Sequence, residues 1–179
     1  MITIRNERNS DMAAREALLD QAFGKSRRRK TSERLRAGRL PAEGLAFIAA
    51  DGKRVVGTAR LWNIACDSGT PALLLGPVAV EASCRNRGIG AALVRHAVAL
   101  ARKLGHGAVI LVGDAAYYNR FGFTAEKTAG IRLPGPVERD RLLALELVPG
   151  ALDAAFGMVT ATGVPAEKPV RAASAVRAA

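Results

Sequence analysis

Two glycines and two arginines that follow an apolar run could bind a phosphate-bearing anion. In the stretch GPVAVEASCRNRGIGAAL, an apolar strand pattern passes through a turn into a long helix pattern. The first amides of a helix have no intrahelical acceptor, and the helix dipole adds partial positive charge there. Gly88 and Gly90 leave these amides open to a bulky anion, and Arg85 and Arg87 add charge. The sequence therefore predicts an anion cradle, defined here as residues 85–91.

The two tyrosines of the chain are neighbours, in the stretch AYYNRFGF. Gly122 suits the left-handed residue that closes a short helix, and in such a closure Phe123 packs on Tyr118. A phenol, with a pKa of about 10, is protonated at neutral pH and can still donate a proton, whereas a carboxylic acid near 4 is already ionised. Tyr118 is therefore a candidate proton donor, and Tyr117 is interpreted as a core residue.

Other nucleotide-binding and catalytic patterns do not fit. A Walker loop needs Gly-x-x-x-x-Gly-Lys-Ser/Thr, which is absent, and a dinucleotide fingerprint needs a third glycine where Leu93 stands. Cys84 has no histidine or carboxylate at motif spacing, so we interpret it as a small loop residue rather than a nucleophile. The two cysteines and two histidines lack metal-ligand spacing, so no metal site is expected.

The elements that must position these groups alternate along the chain. Strands are predicted at MITIR, 45–50, 53–62, 73–80, AVILVGD, 142–148 and MVTAT. Helices are predicted from a capping Asp11 to Phe23, from Thr31 to Ala37, from Ile89 to Leu104, and at AYYNRF. This order favours an α/β fold in which helices pack on a mixed sheet.

Three stretches together resemble the acetyl-CoA motifs of the GCN5-related N-acetyltransferase (GNAT) superfamily. They are Val78-Ala79-Val80, RNRGIGAAL from Arg85, and YNRFGF from Tyr118. The resemblance extends from residue 1 to about 150 in element order and is sharpest over 73–123. It implies a mixed, mostly antiparallel central sheet with helices on both faces and a splayed central strand. It also implies acetyl-CoA as the co-substrate.

The resemblance implies roles for individual residues. The pantetheine arm would pair with the backbone of Val78, Ala79 and Val80. The pyrophosphate would bind the loop amides, which belong to Arg87, Gly88, Ile89, Gly90 and Ala91, beside Arg85. Tyr118 matches the general acid of the family, and would protonate the CoA thiolate when an amine attacks the thioester directly in a ternary complex. An amide near Val80 would polarise the thioester carbonyl.

This chain departs from the family pattern in two places. The family often has an asparagine before the last helix, where this chain has Gly113-Asp114, so that contact is missing and Asp114 is expected to cap the helix. The strand LLLGPVAV has no carboxylate to serve as general base. Glu81 follows that strand and is more naturally a solvated loop acid, so the base stays unassigned, and a water chain would serve.

The net charge of +11 is concentrated in one place. Residues 25–39, the basic segment, carry eight basic residues and one acidic residue, a net of +7. By resemblance this segment borders the acceptor site, which suggests an amine acceptor, small molecule or protein, that also carries negative charge. A solvated, arginine-rich helix face is the other interpretation. Two alternative functions stay open, a non-catalytic acyl-CoA-binding module and a nucleic-acid-binding protein, although no aromatic residues are interleaved for base stacking.

We expect residues 1–150 to form the N-acetyltransferase domain, and 151–179 to be an extension with a last strand and a mobile, Ala/Pro/Val-rich tail. The N-terminus has no apolar core typical of a signal peptide, and no apolar run reaches 18 residues. We therefore interpret the chain as a cytoplasmic protein without membrane association. The oligomeric state is not predicted, and a homodimer stays open.

Overall fold

The computed structural model describes residues 1–167, and its elements follow the predicted order with two exceptions: residues 31–37 form no α-helix, and the short strand Ile131–Arg132 is not predicted. The strands are β1 (Ile2–Asn6), β2 (Ala46–Asp51), β3 (Arg54–Cys66), β4 (Pro71–Val80), β5 (Ala108–Val112), β6 (Ile131–Arg132), β7 (Leu142–Glu146) and β8 (Gly157–Ala161). The helices are α1 (Met12–Phe23), α2 (Ile89–Lys103) and α3 (Ala115–Tyr118). A 3₁₀ turn at Asn119–Phe121 extends α3.

The strands form one sheet in the order β1-β2-β3-β4-β5-β7, with β8 paired to β3 and β6 paired to β8. Pairing is antiparallel except between β4 and β5 and between β6 and β8. The β4–β5 pair is parallel because α2 crosses between them, as a parallel connection requires. The predicted mixed, mostly antiparallel sheet is confirmed.

Helices cover both faces of the sheet, as predicted. On one face α2 buries Leu93, Val94 and Ala97 against the central strands. On the other face Leu18 and Leu19 of α1 pack on Ala79 of β4. Successive residues of a strand point to opposite faces, which is why the central strands are apolar at almost every position.

Two predicted helix ends differ from the structure: the C-terminal end of α2 and the side-chain cap of α1. Leu104 lies after the last residue of α2 and is 51% exposed, because the helix ends at Lys103. Asp11 does not cap α1 with its side chain. Its carboxylate instead accepts hydrogen bonds from the Arg5 guanidinium, at 2.7 and 2.8 Å, and from the Arg8 amide at 2.8 Å.

The basic segment is not an α-helix. It forms two short 3₁₀ turns, Lys25–Arg29 and Thr31–Leu35, separated by the extended backbone of Lys30. Thr31 and Arg34 donate hydrogen bonds to the Pro136 and Pro134 carbonyls, and these ties hold the second turn against a distant loop instead of in a continuous helix. Leu35 alone is buried in the second turn, and it anchors the segment to the sheet.

Residues after 150 contact the same sheet. The strand β8 forms where the last strand is predicted, and it pairs with Ile64, Ala65 and Cys66 of β3. Leu152 and Val159 are buried with the apolar residues of that face. The predicted mobile tail lies mainly beyond residue 167, outside the described part of the chain. Within residues 1–167, no helix combines the length and the apolar character needed to cross a lipid bilayer.

Candidate active site

The strand β4 separates from β5 halfway along its length. The two strands pair only at Leu73–Val109 and Leu74–Ile110. Beyond Leu74, β4 continues to pair with β3 on its other side, with a register shift of β3 between Ala59 and Leu61. One edge of β4 therefore faces a gap from residue 75 to residue 80. This is the splayed central strand that the resemblance to the GNAT superfamily implies.

The amide of Val80 points into this gap. Glu81 donates its amide to the Val56 carbonyl at 2.9 Å, and the register places Val80 opposite Gly57 and Ala79 opposite Thr58. Hydrogen-bonded and non-hydrogen-bonded pairs alternate along antiparallel strands. The amides of Glu81 and Ala79 therefore face β3, and that of Val80 faces the open edge, where an amide near Val80 is predicted to polarise a carbonyl.

By the same alternation the Val78 amide faces the gap. Pro77 has no amide to offer, and the Gly76 carbonyl accepts a hydrogen bond from the Trp62 indole at 2.6 Å. Trp62 is thereby a buried residue behind β4 and does not line the gap. The backbone amides that face the open edge of β4 without a strand partner are those of Val78 and Val80.

The anion cradle has its amides open. Gly88 is left-handed, with φ of 74°, and immediately precedes α2; Asn86 also has a positive φ of 61°. The Ala92 amide is the first of the helix to find an acceptor, donating to the Gly88 carbonyl at 2.9 Å. Within residues 1–167, none of the amides from residue 86 to residue 91 donates to a protein acceptor. Arg85 and Arg87 are exposed beside them.

Two groups next to the cradle are engaged with protein partners. Cys84 is buried, and its sulfur receives N–H groups from Arg54 at 3.9 Å and Arg87 at 3.8 Å. The Glu81 carboxylate accepts from Arg54 at 3.0 Å and from the Ser83 hydroxyl at 3.0 Å. Glu81 is therefore a surface acid tied to the loop, which agrees with its interpretation as a loop residue.

Tyr118 is fixed by the residues on either side of it. Asp114 caps α3, as predicted, by accepting from the Ala116 amide at 3.0 Å. Gly122 is left-handed, with φ of 90°, and its amide donates to the Asn119 carbonyl at 2.9 Å. The closure brings the Phe123 ring edge-to-face against Tyr118, with 5.9 Å between centroids. The predicted bracing of Tyr118 by Phe123 is confirmed.

The surroundings of Tyr118 keep its phenol neutral. Burial, and to a smaller extent the neighbouring Tyr117, raise the pKa of Tyr118 to about 12 against the opposing positive charge of Arg36. A phenol in this state is protonated throughout the physiological pH range. It can donate a hydrogen bond or a proton, and Arg36 favours the phenolate that such a transfer would leave.

Tyr117 is not a simple core residue. It is half-buried, its ring is edge-to-face with Tyr118 at 5.0 Å, and the Arg120 guanidinium lies 4.7 Å from its centroid. A Cβ placed on Gly90 would lie 3.1 Å from the Tyr117 hydroxyl oxygen. The two tyrosines thus diverge, and Tyr117 directs its hydroxyl to the start of α2 beside the cradle.

A cavity of about 530 Å³ connects Tyr118 with the basic segment. Its walls are the basic segment, the β4 stretch 75–78, the joint between β5 and α3, and the loop 136–141. The loop and the basic segment are tied together, since Thr31 donates to the Pro136 carbonyl at 2.7 Å and Arg34 to the Pro134 carbonyl at 2.6 Å. None of the cradle residues 85–91 lines this cavity. The cradle and the cavity are therefore two separate sites along the splayed strand.

Several residues of this cavity were not found by sequence reasoning. Three carboxylates share it with Tyr118, and they belong to Glu33, Asp114 and Glu138. Gly113 also lines it, against the Tyr118 ring. Glu138 follows a run of loop residues without periodicity, and no motif marks it. Only the tertiary fold brings these groups together.

The basic segment contributes unequally to the cavity. Arg27 lines it, but its side chain is only 8% exposed and is bound by Asp20 at 2.9 Å and Glu16 at 2.5 Å. Arg28 is exposed and does not line the cavity. The expectation of a uniformly solvated arginine-rich face is wrong, because Arg27 and Arg36 point inward, and Arg27 already has its counter-ions.

Comparison with known proteins agrees with this geometry. The profile of the "Acetyltransferase (GNAT) family" matches residues 12–123, more than half of the chain. No curated protein matches the sequence. The match begins at the first residue of α1 and ends at Phe123, so it includes the splayed strand, the cradle and Tyr118.

Two solved structures are similar over most of their length. The GNAT family N-acetyltransferase YhbS from Escherichia coli, in complex with CoA, is 26% identical, with a TM-score of 0.76 over 89% of each chain. A GNAT family acetyltransferase from Brucella melitensis, in complex with acetyl-CoA, is also 26% identical, with a TM-score of 0.60 over 94% of this chain and 97% of its own.

Proposed function

Because the chain belongs to the acetyltransferase (GNAT) family, we propose that it transfers an acetyl group from acetyl-CoA directly to an amine in a ternary complex. The observation that supports this most strongly is the one-sided pairing of β4 beyond Leu74. The gap that results has the anion cradle at one end and the Tyr118 cavity beside it. A long thioester with a diphosphate at its far end fits this arrangement.

The groups present suit acetyl-CoA. The amides from Arg87 to Ala91 would hold the diphosphate, with the charges of Arg85 and Arg87 beside it. The pantetheine amides would pair with the free backbone groups of Val78 and Val80, as a strand added to an open edge does. Ala79, between them, packs against α1 and keeps β4 in register. The thioester then reaches the cavity that Tyr118 lines.

The reaction needs two groups from these residues, a donor to the thioester oxygen and a proton donor to the thiolate. A free amide of the splayed strand near Val80, that of Val78 at the cavity wall, would donate to the thioester carbonyl oxygen, on which negative charge develops when the amine attacks the carbonyl carbon. The C–S bond then breaks, and the thiolate takes a proton from Tyr118. The acceptor nitrogen loses one proton to solvent, so that the products are an amide and neutral CoA thiol.

The position of Arg36 matters to the proton transfer. A phenol whose pKa is raised to about 12 is a weaker acid than the thiol it would protonate, which has a pKa of about 8.5. Complete transfer therefore relies on whatever stabilises the phenolate, and the charge of Arg36 acts in that direction. The phenol regains its proton from solvent after CoA leaves.

Turnover of a panel of amines tests the function. Purified protein is mixed with acetyl-CoA and each amine, and free CoA thiol is measured for the wild type and for Tyr118→Phe. We expect amine-dependent CoA release by the wild type and its loss in the variant, with acetyl-CoA binding by calorimetry retained in both. Binding of acetyl-CoA without release for any amine would instead support a non-catalytic acyl-CoA-binding module.

A further inference from the structure

Arg36 is a buried arginine at the wall of the cavity that Tyr118 also lines. Its side chain is only 11% exposed. The guanidinium lies against the splayed strand, where a Cβ on Gly76 would stand 2.9 Å from its Nη2. Only glycine at this position lets the group approach β4 so closely.

The hydrogen-bonding capacity of Arg36 is unused by the protein. A guanidinium has five N–H donors. Within residues 1–167 Arg36 donates no hydrogen bond, and its buried Nε has no partner. Its nearest acid is Glu33, whose Oε2 is 3.7 Å from Nη1, beyond hydrogen-bond range.

Its neighbours in the basic segment behave differently. Arg27 is bound by two carboxylates, Arg34 donates to the Pro134 carbonyl, and Arg39 donates to the Gly163 carbonyl at 2.8 Å. These three have structural partners, so their charges hold the segment in place. Arg36 also lines the cavity, but it is deeply buried and donates no hydrogen bond to the fold within residues 1–167.

Glu33 offsets part of the Arg36 charge, but a buried guanidinium that donates no hydrogen bond is still costly, so its retention points to a ligand that accepts its N–H groups. Burial lowers the pKa of Arg36 to about 10, which still leaves the guanidinium protonated at neutral pH. Its planar fork matches a carboxylate, which accepts two parallel N–H groups. Arg36 is therefore suited to bind a carboxylate.

We propose that Arg36 binds a carboxylate of the acceptor, so that the substrate class is a small amino acid or a related amine that carries a carboxylate. This rests on the proposed acetyl transfer. A cavity of about 530 Å³ suits a ligand of that size. When Arg36 binds the carboxylate of such a molecule, the amine of the molecule lies in the same cavity as Tyr118.

Matched acceptors test the proposal. Phenylalanine is compared with phenethylamine, and lysine with cadaverine, because each pair differs only in the carboxylate. We expect the wild type to favour the amino acid of at least one pair by more than about 10-fold in kcat/KM. Arg36→Met should raise KM for the amino acid about 100-fold and leave KM for the decarboxylated amine within about threefold, while any loss of kcat that acts through Tyr118 should be the same for both members of a pair. Arg28→Met, an exposed change in the same segment, is the control.

Arg36 could instead act only on Tyr118, and the same data separate the two roles. Arg36→Met would then lower kcat equally for both members of each pair and leave KM of the amino acid unchanged, which overturns the proposal. Equal use of both members by the wild type also overturns it. Because the variant removes an unpartnered buried charge, we expect its melting temperature to stay level or rise; a large fall would mean that Arg36 serves the fold.

A binding measurement keeps the proposal independent of turnover. If no amine releases CoA although acetyl-CoA binds, the proposed function fails. N-acetylphenylalanine, which carries the carboxylate, and N-acetylphenethylamine, which lacks it, are then compared by thermal shift in the presence of CoA. We expect stabilisation of the wild type by the first compound alone, and none of Arg36→Met. Equal shifts for both compounds would contradict the carboxylate site.

Discussion

Gly113 makes room for the ring of Tyr118. A Cβ on Gly113 would stand 2.4 Å from Cε2 and 2.8 Å from Cδ2 of that ring, closer than any side-chain carbon is tolerated. The Gly113 amide is held by the Arg141 carbonyl at 2.9 Å, so the backbone cannot easily retreat. The end of β5 thus fixes where the phenol lies.

Gly113→Ala should move the Tyr118 ring and lower the rate of acetyl transfer. The methyl group overpacks the site, which typically destabilises a protein by about 1–3 kcal/mol. We expect kcat to fall at least about 10-fold while acetyl-CoA binding changes little, since the cradle is elsewhere. Steady-state kinetics and calorimetry measure the two effects.

The double variant Gly113→Ala with Tyr118→Phe shows whether the effect acts through the phenol. If it does, adding the alanine to Tyr118→Phe lowers kcat by little more than the phenylalanine alone, because residues that act as a unit are not additive. If the fall in kcat of the double variant equals the product of the two single falls, Gly113 does not act through the phenol.

Tyr118→Phe should lower kcat about 100-fold or more, the usual contribution of a positioned general acid. Tyr117→Phe is the matched control, because it removes the same oxygen from the adjacent ring, which does not line the cavity. We expect kcat of the control to stay within about threefold. Equal losses in the two variants would mean that neither hydroxyl is specific to the proton transfer.

The cradle is tested at Gly88, which is left-handed and has open space around it. Gly88→Ala strains the backbone by about 1–2 kcal/mol and places a methyl group among the free amides. We expect the Kd for acetyl-CoA to rise at least about 10-fold. Calorimetry measures the Kd, and chemical denaturation measures stability.

Gly69→Ala is the control for strain. Gly69 has a similar φ of 82°, also with open space, in the turn between β3 and β4 at the end of β4 far from the cradle. Both variants should lose comparable stability, and only Gly88→Ala should lose affinity. A similar Kd in the two would show that the amides beside Gly88 do not hold acetyl-CoA.

Local pattern was enough to predict the cradle and the bracing of Tyr118, whereas the splayed strand was implied only by the resemblance to the GNAT superfamily. Gly88 and Gly90 lie within one strand–turn–helix joint, and Phe123 is five residues from Tyr118, so spacing along the chain carries the geometry. Arg36 is different. It meets Gly76 from 40 positions away, and nothing in the composition of the basic segment separates it from the other arginines.

Two local predictions failed because of longer-range competition. Asp11 has the sequence context of a helix cap, but the Arg5 guanidinium takes both of its carboxylate oxygens. The basic segment has helical periodicity only weakly, and the ties of Thr31 and Arg34 to the loop 134–136 hold it as 3₁₀ turns. Tertiary contacts decided both outcomes.

Arg27→Ala should destabilise the protein rather than weaken acceptor binding alone. The side chain is nearly buried and hydrogen-bonded to Asp20 and Glu16. Hydrogen bonds to charged groups contribute about 1.5–3 kcal/mol, so we expect the free energy of unfolding to fall by about 2 kcal/mol. Arg28→Ala, at an exposed neighbour, should change it by less than about 0.5 kcal/mol. Equal stability of the two variants in urea denaturation would contradict this assignment.

Asp11→Asn should make the protein less sensitive to acid. Hydrogen bonds from Arg5, and one from the Arg8 amide, lower the pKa of Asp11 to about 2, against 3.8 for a free carboxyl. A lowered pKa stabilises the folded state above about pH 4, and this contribution is lost as the pH falls towards 2. Because Arg5 is 29% exposed, solvent screening limits it to about 1 kcal/mol. Urea denaturation at pH 6 and pH 1.5 should show the wild type ahead of Asp11→Asn only at the higher pH, and Arg5→Met should behave likewise. A gap that persists at pH 1.5, below the folded-state pKa, would mean that packing, rather than charge, keeps Asp11 in place.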